Sequence, residues 1–161
     1  MIFLNIFKMA TIALFFTVST VQANEFDHVH LKGLVRLYSE GVVEASKKDN
    51  IDYLKPIITE KRGKKLFIWF KSWHENNYFM DARIKNITFN SFDIKESTAE
   101  VVTDEIWDYR YIQIVTKEVS QPWSRVFYTI HYKFVKQGKS WKIDDVLILS
   151  EKQTPLEKLR K

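Results

Sequence analysis

Val126-Phe127-Tyr128-Thr129-Ile130-His131-Tyr132-Lys133-Phe134 is the stretch that decides the fold. Its β-branched and aromatic residues alternate with a period of two, which predicts a strand. Val126, Tyr128, Ile130, Tyr132 and Phe134 share one face, and Arg125, Phe127, Thr129, His131 and Lys133 share the other. One apolar and one mostly polar face implies an antiparallel sheet covered on one side. Runs of the same character extend in both directions, so strands are predicted over 84–94, 98–117, 122–136 and 140–150. Lys136-Gln137-Gly138-Lys139 reads as a tight hairpin with the glycine where positive φ is needed. Trp141 and Ile143 open the last strand and are expected in the core.

Upstream of residue 83 the period changes. Leu31, Leu34, Val35, Tyr38, Val42 and Ala45 recur at three- and four-residue steps, predicting an amphipathic helix over 28–47 with Asp27 as its N-cap. Asn50 is placed to cap a short second helix over 51–58, made irregular by Pro56. Thr59 is placed to cap a third over 59–76, with Leu66, Phe70, Trp73 and Asn77 on one stripe and Trp69 beside it. The predicted class is α+β, three N-terminal helices packed on a four-stranded antiparallel sheet.

The N-terminus has a weakly basic start at Lys8, an apolar run from Met9 to Val21, and Val21-Gln22-Ala23 at its end. That is the pattern of a signal peptide cleaved after Ala23. As a helix, Met9 to Ala23 rises about 22 Å, short of the roughly 30 Å of a bilayer core, so cleavage is favoured over a retained anchor. The expected organisation is a leader at 1–23, one domain at 24–151 and a basic tail at 152–161. The destination is the periplasm or the exterior, with no membrane span left after cleavage.

Lys+Arg number 25 against Asp+Glu 20, a formal net charge of +5. This is too mild for a dedicated nucleic-acid binder, and no nucleic-acid partner is expected. The chain has no cysteine, which excludes disulfides, a thiol nucleophile, a thiolate metal site and a lipid anchor at the cleavage point. The 5 Trp, 7 Tyr and 12 Phe supply a large aromatic core.

No catalytic, metal or cofactor motif stands out. Gly63-Lys64-Lys65 lacks the upstream glycine of a phosphate loop, and His74-Glu75-Asn76-Asn77-Tyr78 lacks the second histidine of a zinc-protease helix. His28 and His30 diverge on a helix and read as solvent-facing. Two clusters remain. Glu105, Trp107, Tyr109, Tyr128 and Tyr132 form a candidate pocket, because alternation places Glu105, Trp107, Tyr109 and Tyr111 on one strand face and Asp104, Asp108 and Arg110 on the other. A carboxylate among aromatics is either a general acid or base with a raised pKa or a packing group hydrogen-bonded to Tyr109, Tyr128 or a helix; the second is the expectation. Lys61, Arg62, Lys64 and Lys65 crowd the first turns of the third helix, either as a solvated face or as a candidate anion patch.

Three segments carry a resemblance: Ala99-Glu-Val-Val-Thr-Asp-Glu-Ile-Trp-Asp-Tyr109, Tyr128-Thr-Ile-His-Tyr132 and Gly138-Lys-Ser-Trp-Lys-Ile-Asp-Asp-Val146. With helices followed by four long strands, they resemble the nuclear transport factor 2-like superfamily (SnoaL-like), and within it IMS-like domains, from about Leu31 to Leu149. The resemblance implies a cone-shaped, cystatin-like α+β roll. The superfamily contains isomerases, cyclases and dehydratases as well as binding domains, while IMS-like members resemble interaction domains without a catalytic set. The expectation is a non-catalytic binding or scaffold domain of the envelope, without cofactor, that engages a protein partner or small ligand. A homodimer through the sheet stays open. The alternative is a small-molecule isomerase, cyclase or dehydratase with Glu105 as base and Tyr109 or Tyr128 as donor to an oxyanion. A cone cavity above about 300 Å³ with convergent polar groups would favour that alternative.

Overall fold

The central strand forms as its alternation predicts. β3 (Val119–Gln137) lies between β2 (Thr98–Gln113) and β4 (Ser140–Pro155), and β1 (Tyr78–Ile94) flanks β2 on the far side. All three pairings are antiparallel, so the sheet is an open meander in sequence order. The computed structural model describes residues 6–159, with side chains from Glu25 to Lys158. Val126, Ile130, Tyr132 and Phe134 are buried beneath the helices together with Trp141 and Ile143 of β4. The opposite face carries paired charges, with Arg125 forked onto both oxygens of Asp108 at 2.7 and 2.9 Å. Gly138 adopts φ +61 at the β3–β4 turn, where a side chain would strain the backbone.

Two helices cover the sheet where the sequence predicts three. α1 (Ile6–Lys48) buries Leu31, Leu34, Val35, Tyr38, Val42 and Ala45, the predicted stripe. It begins well before residue 28, so Asp27 is no N-cap. Asp27 lies inside the helix and accepts a bond from Trp141 Nε1–H at 2.9 Å, tying α1 to β4. α2 (Glu60–Glu75) is capped by Thr59, whose hydroxyl accepts the Arg62 N–H at 3.2 Å, as expected.

The segment 51–58 is a chain of turns and not a helix. Asn50 does accept the Asp52 N–H, but as a local turn, and most of the turn bonds that follow span three residues. Pro56 removes one helical donor and disfavours helical angles at Lys55. The segment has another task. Ile57 O accepts the Ile143 N–H at 2.9 Å and Thr59 N–H reaches Ile143 O at 3.0 Å, so the turn pairs with the start of edge strand β4. Leu54 is fully buried against Gly41 of α1, where a Cβ would stand 2.5 Å from Leu54 Cδ2. Only glycine permits that approach.

Strand boundaries also differ: β2 ends at Gln113 and β3 starts at Val119, not at residues 117 and 122, because residues 114–116 form the turn between them. β1 starts at Tyr78, six residues before Ile84, because Met80 and Ala82 are buried and pair with Tyr111 and Tyr109. Asn77 is therefore off the helical stripe; it is the left-handed turn residue, φ 63, between α2 and β1. β4 runs on to Pro155 and a short 3₁₀ helix follows at Leu156–Leu159, so residues just past Glu151 are strand paired with β3. The leader expected over 1–23 lies partly outside the described residues; its described part, from Ile6, runs as the first turns of α1. Among the described residues no helix is long and apolar enough to cross a membrane.

Candidate functional site

Alternation on β2 puts Thr103, Glu105, Trp107 and Tyr109 on the face toward the helices, and all four are buried. Tyr132 reaches the same region from β3. Glu105 is 1% exposed and accepts three bonds. Thr103 Oγ1–H donates to Oε1 at 2.8 Å, Tyr132 O–H to Oε1 at 2.7 Å, and Trp107 Nε1–H to Oε2 at 2.7 Å. The expected donors, Tyr109, Tyr128 or a helix, are not the ones that bind it. Two of the actual donors stand two residues away on the same strand. Among the described residues no lysine or arginine pairs with Glu105, and no buried side-chain polar atom lacks a partner.

Above this network lies a cavity of about 440 Å³ between helices and sheet. Of the five candidate pocket residues, Trp107, Tyr109, Tyr128 and Tyr132 line it, while Glu105 sits behind Trp107 and Tyr132. α1 adds Tyr38 and Val42, and α2 adds Arg62, Lys65, Trp69 and Trp73. Met80, Tyr111, Ile130, Val146, Ile148 and Glu151 complete the sheet side. The rings meet mostly edge to face: Trp73–Tyr111 at 5.6 Å, Tyr109–Tyr111 at 5.6 Å and Trp107–Tyr128 at 6.3 Å. Burial keeps the phenols protonated. It pushes Tyr111 up to about 12, and raises Tyr38, Tyr109, Tyr128 and Tyr132 above the ordinary tyrosine value.

The four cations of the candidate anion patch each have a partner within the chain. Lys61 pairs with Asp144 at 2.5 Å and Lys64 with Glu60 at 2.7 Å. Lys65 pairs with Asp145 at 2.9 Å, and Arg62 bonds to the Tyr38 hydroxyl with Asp145 at 4.0 Å. Burial pushes the Asp145 carboxyl up, but the Lys65 ammonium and the Val146 N–H outweigh it and hold it below its usual range. Only Arg62 and Lys65 border the cavity. Lys64 borders a second, more open cleft of about 490 Å³ on the other side of α2, with Ile51, Ile58 and Phe67.

His131 lies on the outer face, 2.9 Å from Glu100, and His74 Nε2 is 2.8 Å from Ser46 O. Tyr38, Trp69, Trp73 and Glu151 carry no sequence signal as cavity residues. The first three sit on helical stripes, which sequence reads as core, and Glu151 falls just past the expected end of the last strand at residue 150.

No family model and no curated protein matches this sequence. Solved structures do. The intermembrane space region of the chloroplast protein ARC6 superposes with a TM-score of 0.66 at 15% identity, covering 74% of this chain and 94% of that one. The chain has the nuclear transport factor 2-like fold. A conserved protein from Planctomyces limnophilus DSM 3776 superposes with a TM-score of 0.52 at 12% identity, covering 78% of this chain and 99% of that one. A type 2 hexachlorocyclohexane dehydrochlorinase, LinA, matches at TM-score 0.48 and 7% identity over 81% and 93% of the two chains.

Proposed function

We propose that this is an exported, non-catalytic binding domain of the cell envelope, periplasmic or secreted, that receives a small ligand in the cavity between helices and sheet. The observation that carries the reading is the state of Glu105. The cavity exceeds the size at which catalysis would be favoured, so the decision rests on its polar groups. Glu105, the base of the catalytic alternative, has both oxygens occupied by donors and does not border the space, and Glu151, which does border it, is solvent-exposed. The phenols that do border it are protonated well past neutral pH, and Arg62 and Lys65 already have partners. What is left is a concave, mostly aromatic surface with a few polar groups, the ordinary character of a ligand site.

The apolar run ending at Val21-Gln22-Ala23 supports export. A compartment of that kind also suits the intermembrane-space location of the ARC6 region of the same fold. If the domain dimerises through its sheet, the edge strands β1 and β4 are the elements available, β4 with Leu147 and Leu149 exposed.

Complementation of a deletion strain tests the reading with two variants of verified abundance. Glu105→Gln removes the titrating group and keeps the shape. Ile148→Trp puts bulk at the cavity mouth, at a position 57% exposed and so tolerant of substitution. Glu105→Gln should complement and Ile148→Trp should fail. The reverse pattern would move Glu105 into catalysis and discard the binding reading.

A further inference from the structure

The sheet end of the cavity has an unbalanced charge distribution. Glu151 of β4 stands opposite Tyr128 in the strand register and borders the cavity, and among the described residues no lysine or arginine pairs with it. Glu105, immediately behind the wall, is also without a cation partner. The two cations that border the cavity, Arg62 and Lys65, stand on α2 and share Asp145. Two unmatched carboxylates therefore lie at the sheet end.

Tyr128 lies between those carboxylates in the strand register, and much of the remaining cavity wall is aromatic. Trp69 and Trp73 of α2 meet at 4.3 Å, and Trp107, Tyr111 and Tyr128 line the cavity with them. Ring faces carry negative quadrupole potential, and a cation seated against several of them is attracted. The Trp107 indole N–H donates to the Glu105 carboxylate, which pushes electron density into that ring and strengthens its attraction for positive charge. Glu151 raises the cost of ionising Tyr109, Tyr111 and Tyr128 alike, so its field reaches all three phenols. The same field that opposes a phenolate favours a cation.

We propose that the cavity binds an organic cation, a substituted ammonium group with an apolar body, held between the Trp69, Trp73, Trp107, Tyr111 and Tyr128 rings with Glu151 as its counter-ion. The inference rests on the reading of this cavity as a ligand site and adds the ligand's charge. A quaternary ammonium suits the site better than a metal ion, because its hydration is weak and its methyl groups contact the rings.

Calorimetric titration of the full chain with a matched trio tests it: choline, its neutral isostere neohexanol, and the anion tert-butylacetate. Choline should bind about tenfold or more tightly than either, the size expected from one or two cation–π contacts plus a carboxylate. Glu151→Gln, a change at an exposed position, should weaken choline several-fold and leave neohexanol unchanged. Equal or tighter binding of neohexanol or tert-butylacetate would overturn the cation assignment while leaving the cavity a ligand site. Binding by none of the three would overturn both.

Discussion

Replacing Glu105 measures how much its three hydrogen bonds contribute to the fold. In the native protein Oε1 faces two hydroxyls, Thr103 and Tyr132, and Oε2 faces the Trp107 indole N–H. A glutamine fits this pattern in one orientation. Its carbonyl accepts from Trp107, which can only donate, and its two N–H groups face the two hydroxyls, which can turn to accept. Tyr132 O–H can then donate to Ser39 Oγ, 3.4 Å away. The variant exchanges charge-assisted bonds for neutral ones but also removes a buried charge, so the net cost is about 1 kcal/mol. Alanine leaves the buried Trp107 N–H with no acceptor and opens a void among Thr103, Trp107 and Tyr132; stranding the donor costs about 1–3 kcal/mol and the lost packing adds to it, for about 3–4 kcal/mol in all. Urea unfolding followed by tryptophan fluorescence measures both. A glutamine variant as damaged as the alanine variant would refute the reasoning, because it would mean that the hydroxyls cannot reverse. An alanine variant losing under about 1 kcal/mol would show that the network contributes nothing to the fold.

Trp141→Ala should cost about 3–5 kcal/mol in the same assay, since the ring is 3% exposed and its N–H bonds Asp27; a loss under about 1 kcal/mol would contradict its core position. The cavity phenols should stay protonated as pH passes the ordinary tyrosine value of about 10. Their folded pKa values are raised, so their contribution is complete below that value and is lost as pH climbs through the folded ones, about 12 for Tyr111. Phenolate absorbance should therefore rise in two stages, the second with unfolding; a single step for all 7 tyrosines near pH 10 with the fold intact would contradict it. Mass spectrometry of the exported protein should give a chain beginning at Asn24, and a mass retaining residues 1–23 in the membrane fraction would reverse the export reading.

The sheet was legible because alternation reports burial directly. Val126 to Phe134 needed only one covered face to be interpretable, and Gly138 marked the turn. The α1 stripe and the Thr59 cap were legible for the same reason, being local geometry. The failures are long-range. Nothing near Pro56 announces that Ile57 and Thr59 will pair with Ile143, so the segment reads as a poor helix. Asp81 and Asn77 obscure the start of β1, whose burial depends on Tyr109 and Tyr111. The crowded cations at Lys61 to Lys65 look unbalanced until Asp144 and Asp145 arrive from β4.

For Glu105 the signal was partly present. Thr103 and Trp107 stand two residues to either side, on its own face of a strand, where donors can reach a carboxylate between them. Tyr132 could be added only with the β2–β3 register. The cavity itself was least legible, because Tyr38 and Trp73 look identical in sequence whether they fill a core or line a space.

The central claim, that the space between helices and sheet is the binding site, is tested most directly by the indole N–H signals of the 5 tryptophans. Trp69, Trp73 and Trp107 line the cavity, whereas Trp123 lies between Arg83 and Arg110 on the outer face and Trp141 is bonded to Asp27. Titration of the nitrogen-15-labelled full chain with cationic, neutral and anionic benzyl compounds should move the first three signals with at least one compound and leave Trp123 and Trp141 in place. Shifts confined to Trp123 or Trp141, or no shift with any compound, would contradict the account.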